Sequence, residues 1–106
     1  MGGPPSREWQ IILECQADGV VLEASGRRFS MAEVYEPGTA LRAAVQELVL
    51  AKRQRLPDVR PEIRFLIRPE GLRAYYAAAA ALEPLRLPTQ FEVYRDGGKG
   101  ERSKIR

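Results

Sequence analysis

Residues 62–94, EIRFLIRPEGLRAYYAAAAALEPLRLPTQFEVY, read as a strand, a helix and a second strand with short links between them. Ile63, Phe65 and Ile67 alternate with Arg64, Leu66 and Arg68, the two-residue period that sends successive side chains to opposite faces of a strand. The first set is wholly apolar and the second is mixed. The sheet is therefore expected to be covered by helices on one side and partly open on the other, with the arginines toward solvent. Pro69, Glu70 and Gly71 then begin a helix, since proline is tolerated in a first turn and an acid is favoured at the positive end of the helix dipole. Its expected apolar stripe is Leu72, Tyr75, Tyr76, Ala79 and Leu82. Pro84 and Pro88 bracket the link to the last strand, where Phe91 and Val93 alternate with Gln90, Glu92 and Tyr94. Strand, helix and strand in succession favour a parallel pair with a right-handed crossover.

Upstream, Trp9, Ile11, Leu13 and Cys15 alternate with Gln10, Ile12 and Glu14, a half-buried strand. Asp18-Gly19 is a hairpin signal, because the central residues of the tight turn need positive φ, so Val20 to Ala24 is expected to pair back antiparallel. Ser25-Gly26 makes a second turn, and Arg27 to Ser30 forms a short third strand with Phe29 inward. Ser30 to Gly38 reads as a connection. Thr39 then opens a helix whose apolar positions Leu41, Ala44, Val45, Leu48 and Ala51 recur at three and four residues, and the loop Leu56 to Pro61 ends it.

These elements assemble into an α+β two-layer sandwich: a mixed four- to five-stranded sheet with two helices on one face. The expected organisation is a disordered leader over 1–7, a single domain over 8–95 and a polar, flexible tail over 96–106. A chain of 106 residues with 44% hydrophobic and 29% charged content suits one soluble globular domain. One cysteine excludes an internal disulfide, so packing must hold the fold, and self-association would add to it.

Composition also narrows the chemistry. The chain has no histidine, which removes the commonest metal ligand and the commonest general base near neutral pH. Cys15 lies in an apolar run and reads as a small buried hydrophobe. No phosphate-binding glycine loop, paired carboxylates or nucleophile beside a base is present, so the chain reads as non-enzymatic, with no cofactor and no metal. No apolar run approaches the length of a membrane helix, so no membrane insertion is expected. The net charge of +3 owes much to Lys99, Arg102, Lys104 and Arg106 in the tail, leaving the body nearly balanced.

Two groups of residues are candidates for contact with other molecules. Ala77 to Ala81 form a run of small side chains that either lets the helix approach the sheet closely or offers a smooth surface to a second molecule; Ala78 and Ala81 are its probes. Arg28, Arg64 and Arg68, with Tyr75, Tyr76 and Tyr94, could form an arginine and tyrosine sheet face for RNA or single-stranded nucleic acid, although no recognised nucleic-acid motif accompanies them.

The segment FLIRPEGLRAYY, in which a hydrophobic strand ends in Arg68, followed by Glu70 and a helix with the early Tyr75, resembles the closing part of ExbD and TolR periplasmic domains. The preceding D-G hairpin, the GRRFS segment and the single amphipathic helix are similar in order, so the resemblance spans about residues 9 to 95. It implies a small domain that dimerises and serves as a non-enzymatic part of a proton-driven bacterial envelope machine. Proton coupling is not implied here, because the sequence has no membrane helix. The expected role is protein association or scaffolding with a protein partner or a second copy, through Arg64, Arg68, Glu70, Tyr75, Ala78 and Ala81. The expected location is cytoplasmic for a complete chain and the cell envelope for an excised domain.

Overall fold

A computed structural model describes residues 8–35, 39–94 and 102–103. It has an α+β fold with one mixed, open sheet and its helices layered on one face. Five strands lie in the order β3-β2-β1-β4-β5: β1 (Glu8–Gln16), β2 (Gly19–Leu22), β3 (Arg27–Ser30), β4 (Arg60–Ile67) and β5 (Thr89–Tyr94). The pairs β1–β2 and β2–β3 are antiparallel, whereas β4 is parallel to both β1 and β5. Arg102–Ser103 adds a two-residue β6 antiparallel to Tyr94 and Val93. The leader assigned to 1–7, and the rest of the tail, lie outside the described residues.

Register explains the core. Leu22, Leu13, Phe65 and Phe91 stand side by side across four strands, and Phe29, Val20, Cys15, Ile67 and Val93 form the next row. These residues face Val34, Leu41, Val45, Val49, Ala74, Ala78 and Leu82 from the helices. Period-two alternation therefore sends one apolar face of each central strand into a single core.

Pro61 is tolerated within β4 for a directional reason. Ile63 donates its N–H to Pro88 on the β5 side, so the N–H two residues earlier would point the same way, ahead of where β5 begins. No ladder bond is lost by its absence there.

Helices α1 (Met31–Tyr35), α2 (Thr39–Arg55) and α3 (Leu72–Leu82) cover the core. Three local expectations are corrected. The connection expected over Ser30 to Gly38 contains α1, which Ser30 and Glu33 cap reciprocally: Ser30 donates its N–H to Glu33 Oε1 at 2.8 Å, and Glu33 donates its N–H to Ser30 Oγ at 3.2 Å. The first hairpin turns on Ala17 and Asp18, while Gly19 already belongs to β2. At Gly19 a Cβ would lie 2.0 Å from the Phe29 carbonyl oxygen, so glycine serves close strand approach there.

The third correction concerns α3. Its helix starts at Leu72 with Gly71 as N-cap, so Glu70 lies in the preceding turn, outside the first helical turn. Its buried face is Ala74, Ala78, Ala81 and Leu82, whereas Leu72 and Tyr76 are exposed. Alanine wins these positions because the helix passes close over β1, β2 and β4. At its start, a Cβ on Gly71 would lie 2.0 Å from the Cys15 carbonyl oxygen.

Candidate protein interface

The sheet ends in two different edges. On the β3 side, Arg27 and Arg28 are exposed, the Arg27 guanidinium lies 4.7 Å from the Phe29 ring centre, and the chain enters α1 directly after Ser30. Short length and charge are the usual means of discouraging strand addition. On the β5 side, Thr89, Gln90 and Phe91 are exposed and uncharged. The one acid of β5, Glu92, is buried against the sheet and bound to Arg64 Nη2 at 3.0 Å. Among the described residues, only Arg102–Ser103 pairs with the outer side of β5, at its end.

An aromatic flank lies beside that edge. Tyr75 packs edge-on to Phe65 with ring centres 5.1 Å apart, and it also meets Phe91 at 5.6 Å and Tyr76 at 5.3 Å. Leu72 stands one turn before Tyr75 and Tyr76, on the same side of α3. Phe91, 43% exposed, borders the β5 edge with the Tyr75 ring against it, while Leu72 at 49% and Tyr76 at 63% are exposed on α3, Tyr76 lining a groove with Tyr35 and Arg42. Burial raises the pKa of the Tyr75 hydroxyl above the usual tyrosine value, with neighbouring Tyr76 and Cys15 adding to the effect, so Tyr75 is neutral at physiological pH.

The open sheet face is cross-linked by charge. Arg68 Nε donates to Glu14 Oε2 at 2.6 Å, Arg64 binds Glu92 and Gln90, and Gln90 Nε2 donates to Glu62 Oε2 at 2.6 Å. Arg68 also lies over Tyr94, 5.4 Å from its ring centre. The expected grouping of arginines with three tyrosines is divided by the sheet: Tyr94 shares the face of Arg64 and Arg68, while Tyr75 and Tyr76 are on the helical side.

The remaining sequence candidates fall in different places. Glu70 is exposed in the turn between β4 and α3. Ala78 is fully buried and Ala81 nearly so, which corrects the idea of a smooth external surface centred on them: both pack into the chain's own core. Ala77 and Ala80 face a groove of about 410 Å³ between Tyr35, Arg42 and Tyr76, where Arg42 Nε donates to the Ala81 carbonyl at 3.0 Å. Arg64, Arg68, Glu70, Tyr75, Ala78 and Ala81 therefore do not form one site. Phe91 and Leu72 are exposed residues for which the sequence pattern signals no contact role, whereas Tyr76 is expected in the arginine and tyrosine face. The available signal was that Phe91 lies on the last strand of the body, where an inward-facing residue has a covering neighbour on one side only.

Among the described residues, no group of three or more Cys, Asp and Glu side chains could hold a metal ion. No helix among them is long and apolar enough to cross a membrane. No family model, no curated protein and no solved structure matches this chain.

Proposed function

We propose that this chain is a non-enzymatic protein-association domain that works through the β5 edge and the aromatic flank beside it, and that it self-associates. The observation that carries the reading is the difference between the two sheet edges: arginines guard β3, while β5 presents an uncharged Thr-Gln-Phe segment whose exposed Phe91 packs against Tyr75. Strand addition at such an edge supplies main-chain hydrogen bonds without special side chains, and the flank supplies apolar burial.

Nucleic-acid binding has less support, because Arg64 and Arg68 are each engaged by a carboxylate that a phosphate must displace. A relation to ExbD- and TolR-type domains, and with it a place in a bacterial envelope assembly, remains a proposal resting on the order of elements and on Arg68, Glu70 and Tyr75. The association reading does not depend on it.

Light scattering against concentration tests the reading. The wild type should approach twice the 11.9 kDa of one chain as concentration rises, and Phe91→Glu, checked for folding by circular dichroism, should stay monomeric. A folded Phe91→Glu protein that associates as strongly as wild type, or a wild type that is monomeric throughout, overturns it.

A further inference from the structure

We propose that β5 pairs antiparallel with β5 of a second copy about a two-fold axis beside Gln90, so that Thr89 of each copy faces Phe91 of the other and Gln90 faces Gln90. This rests on the association role proposed above and adds its partner, direction and register. The Ile63 N–H donates to the Pro88 carbonyl, and a strand in a parallel ladder turns every second residue to a given neighbour. Pro88, Gln90 and Glu92 therefore direct their backbone groups to β4, and Thr89, Phe91 and Val93 direct theirs outward.

Val93 is already opposite Ser103. The outward groups of Thr89 and Phe91 are the two that no described strand takes up. In an antiparallel pair, hydrogen-bonded residues must both point outward, so Thr89 can face only Thr89, Phe91 or Val93 of a second copy. An axis at Phe91 sets Thr89 against Val93, whose place is held by β6. An axis at Thr89 sets Phe91 against Leu87, which follows the left-handed Arg86 and lies outside the strand. The axis at Gln90 alone lets Thr89 and Phe91 satisfy each other in both directions.

The side chains agree with that register. No like charges oppose one another, since Gln90 meets Gln90 and Glu92 meets Pro88. A two-fold axis perpendicular to the sheet keeps both helical layers on the same side, so Phe91 of each copy, with Tyr75 packed against it, lies on the same face of the joined sheet. The chain leaves the strand at Pro88, before it reaches the ground occupied by β6. A second copy fits this edge because the edge is complementary to itself, the condition for a closed two-fold pair.

Cysteine cross-linking tests the register. Directly opposed, non-hydrogen-bonded residues have Cα atoms about 4.5 Å apart, within disulfide reach. Gln90→Cys should give a covalent dimer under mild oxidation at least about tenfold faster than Thr89→Cys or Phe91→Cys, whose counterparts lie diagonally across the pair. The native Cys15 is buried and does not compete. Thr89→Pro, which removes an outward donor and leaves the β4 ladder intact, should stay folded and lose the dimer. If Gln90→Cys fails to cross-link, or the controls match its rate, while light scattering still finds a dimer, the register is overturned and the association role survives. A wild type that stays monomeric, with no cross-link, overturns both and leaves the edge to a foreign strand.

Discussion

Cys15 is fully buried between Val20 on β2 and Ile67 on β4, so its thiolate has no water to stabilise it. Burial, helped by the neighbouring Glu14 carboxylate, pushes the thiol up to about 12 from an ordinary 9.0. In the unfolded chain the thiol ionises near its ordinary value, so above that pH the unfolded state binds fewer protons than the native one. Stability from this group is therefore complete below about pH 9 and is lost as pH rises toward about 12. The slope for one such group is at most about 1.4 kcal/mol per pH unit, and Tyr75 contributes in the same direction. Urea denaturation at neutral pH and near pH 10.5 should show the loss, and Cys15→Ala should reduce the slope. A thiol reagent at neutral pH should label the wild type only at the rate of unfolding. The apolar run around Cys15 made its burial legible in the sequence; the Cys15 carbonyl touching Gly71 was not legible, because the two residues are far apart in the chain and meet only through the β1–β4 register.

Helix α3 separates its alanines into two kinds that the sequence alone does not distinguish. Ala78 is fully buried over the sheet, while Ala80 is exposed beside the groove with Tyr35 and Tyr76. Ala78→Leu should overpack the core and destabilise by about 1–3 kcal/mol, whereas Ala80→Leu should change the denaturation midpoint little; equal costs would contradict the described helix orientation. The reason the stripe was misread is physical. A hydrophobicity pattern assigns the large apolar residues Leu72, Tyr75 and Tyr76 to the core, but a helix seated close over a sheet buries its smallest side chains and places bulky ones at the margins. Strands β1, β4 and β5 were legible because period-two alternation is a local property. Helix α1 was missed although Ser30-Met31-Ala32-Glu33 carries a capping box, because five residues are too few to show a helical period. The interface candidates were the least legible. Arg64 and Arg68 stood out by charge, yet each is occupied within the sheet, while the exposure of Phe91 depends on β5 being the margin of the five main strands, a fact of strand order.

At the scale of the whole molecule, strand order joins these observations. β4 is central and parallel to both neighbours, so it is paired along both sides and its inward residues Ile63, Phe65 and Ile67 are fully covered. β5 has one such neighbour, β4, and Phe91 stays partly toward solvent beside Tyr75. A single chain of this size keeps a large share of apolar surface near water, and pairing two copies edge to edge removes the part at this margin. If the association couples to folding, the folded state is stabilised by mass action, so the midpoint of thermal unfolding should rise with protein concentration. Each tenfold increase in concentration, once the dimer is populated, should add about 1.4 kcal/mol of apparent stability per mole of dimer. Differential scanning calorimetry across two decades of concentration measures this directly. Thr89→Pro should remove the concentration dependence while retaining a cooperative transition, since its outward N–H has no part in the β4 ladder. A wild-type midpoint independent of concentration would place the pairing outside the stability of the fold, and a persistent dependence in folded Thr89→Pro would move the contact away from β5.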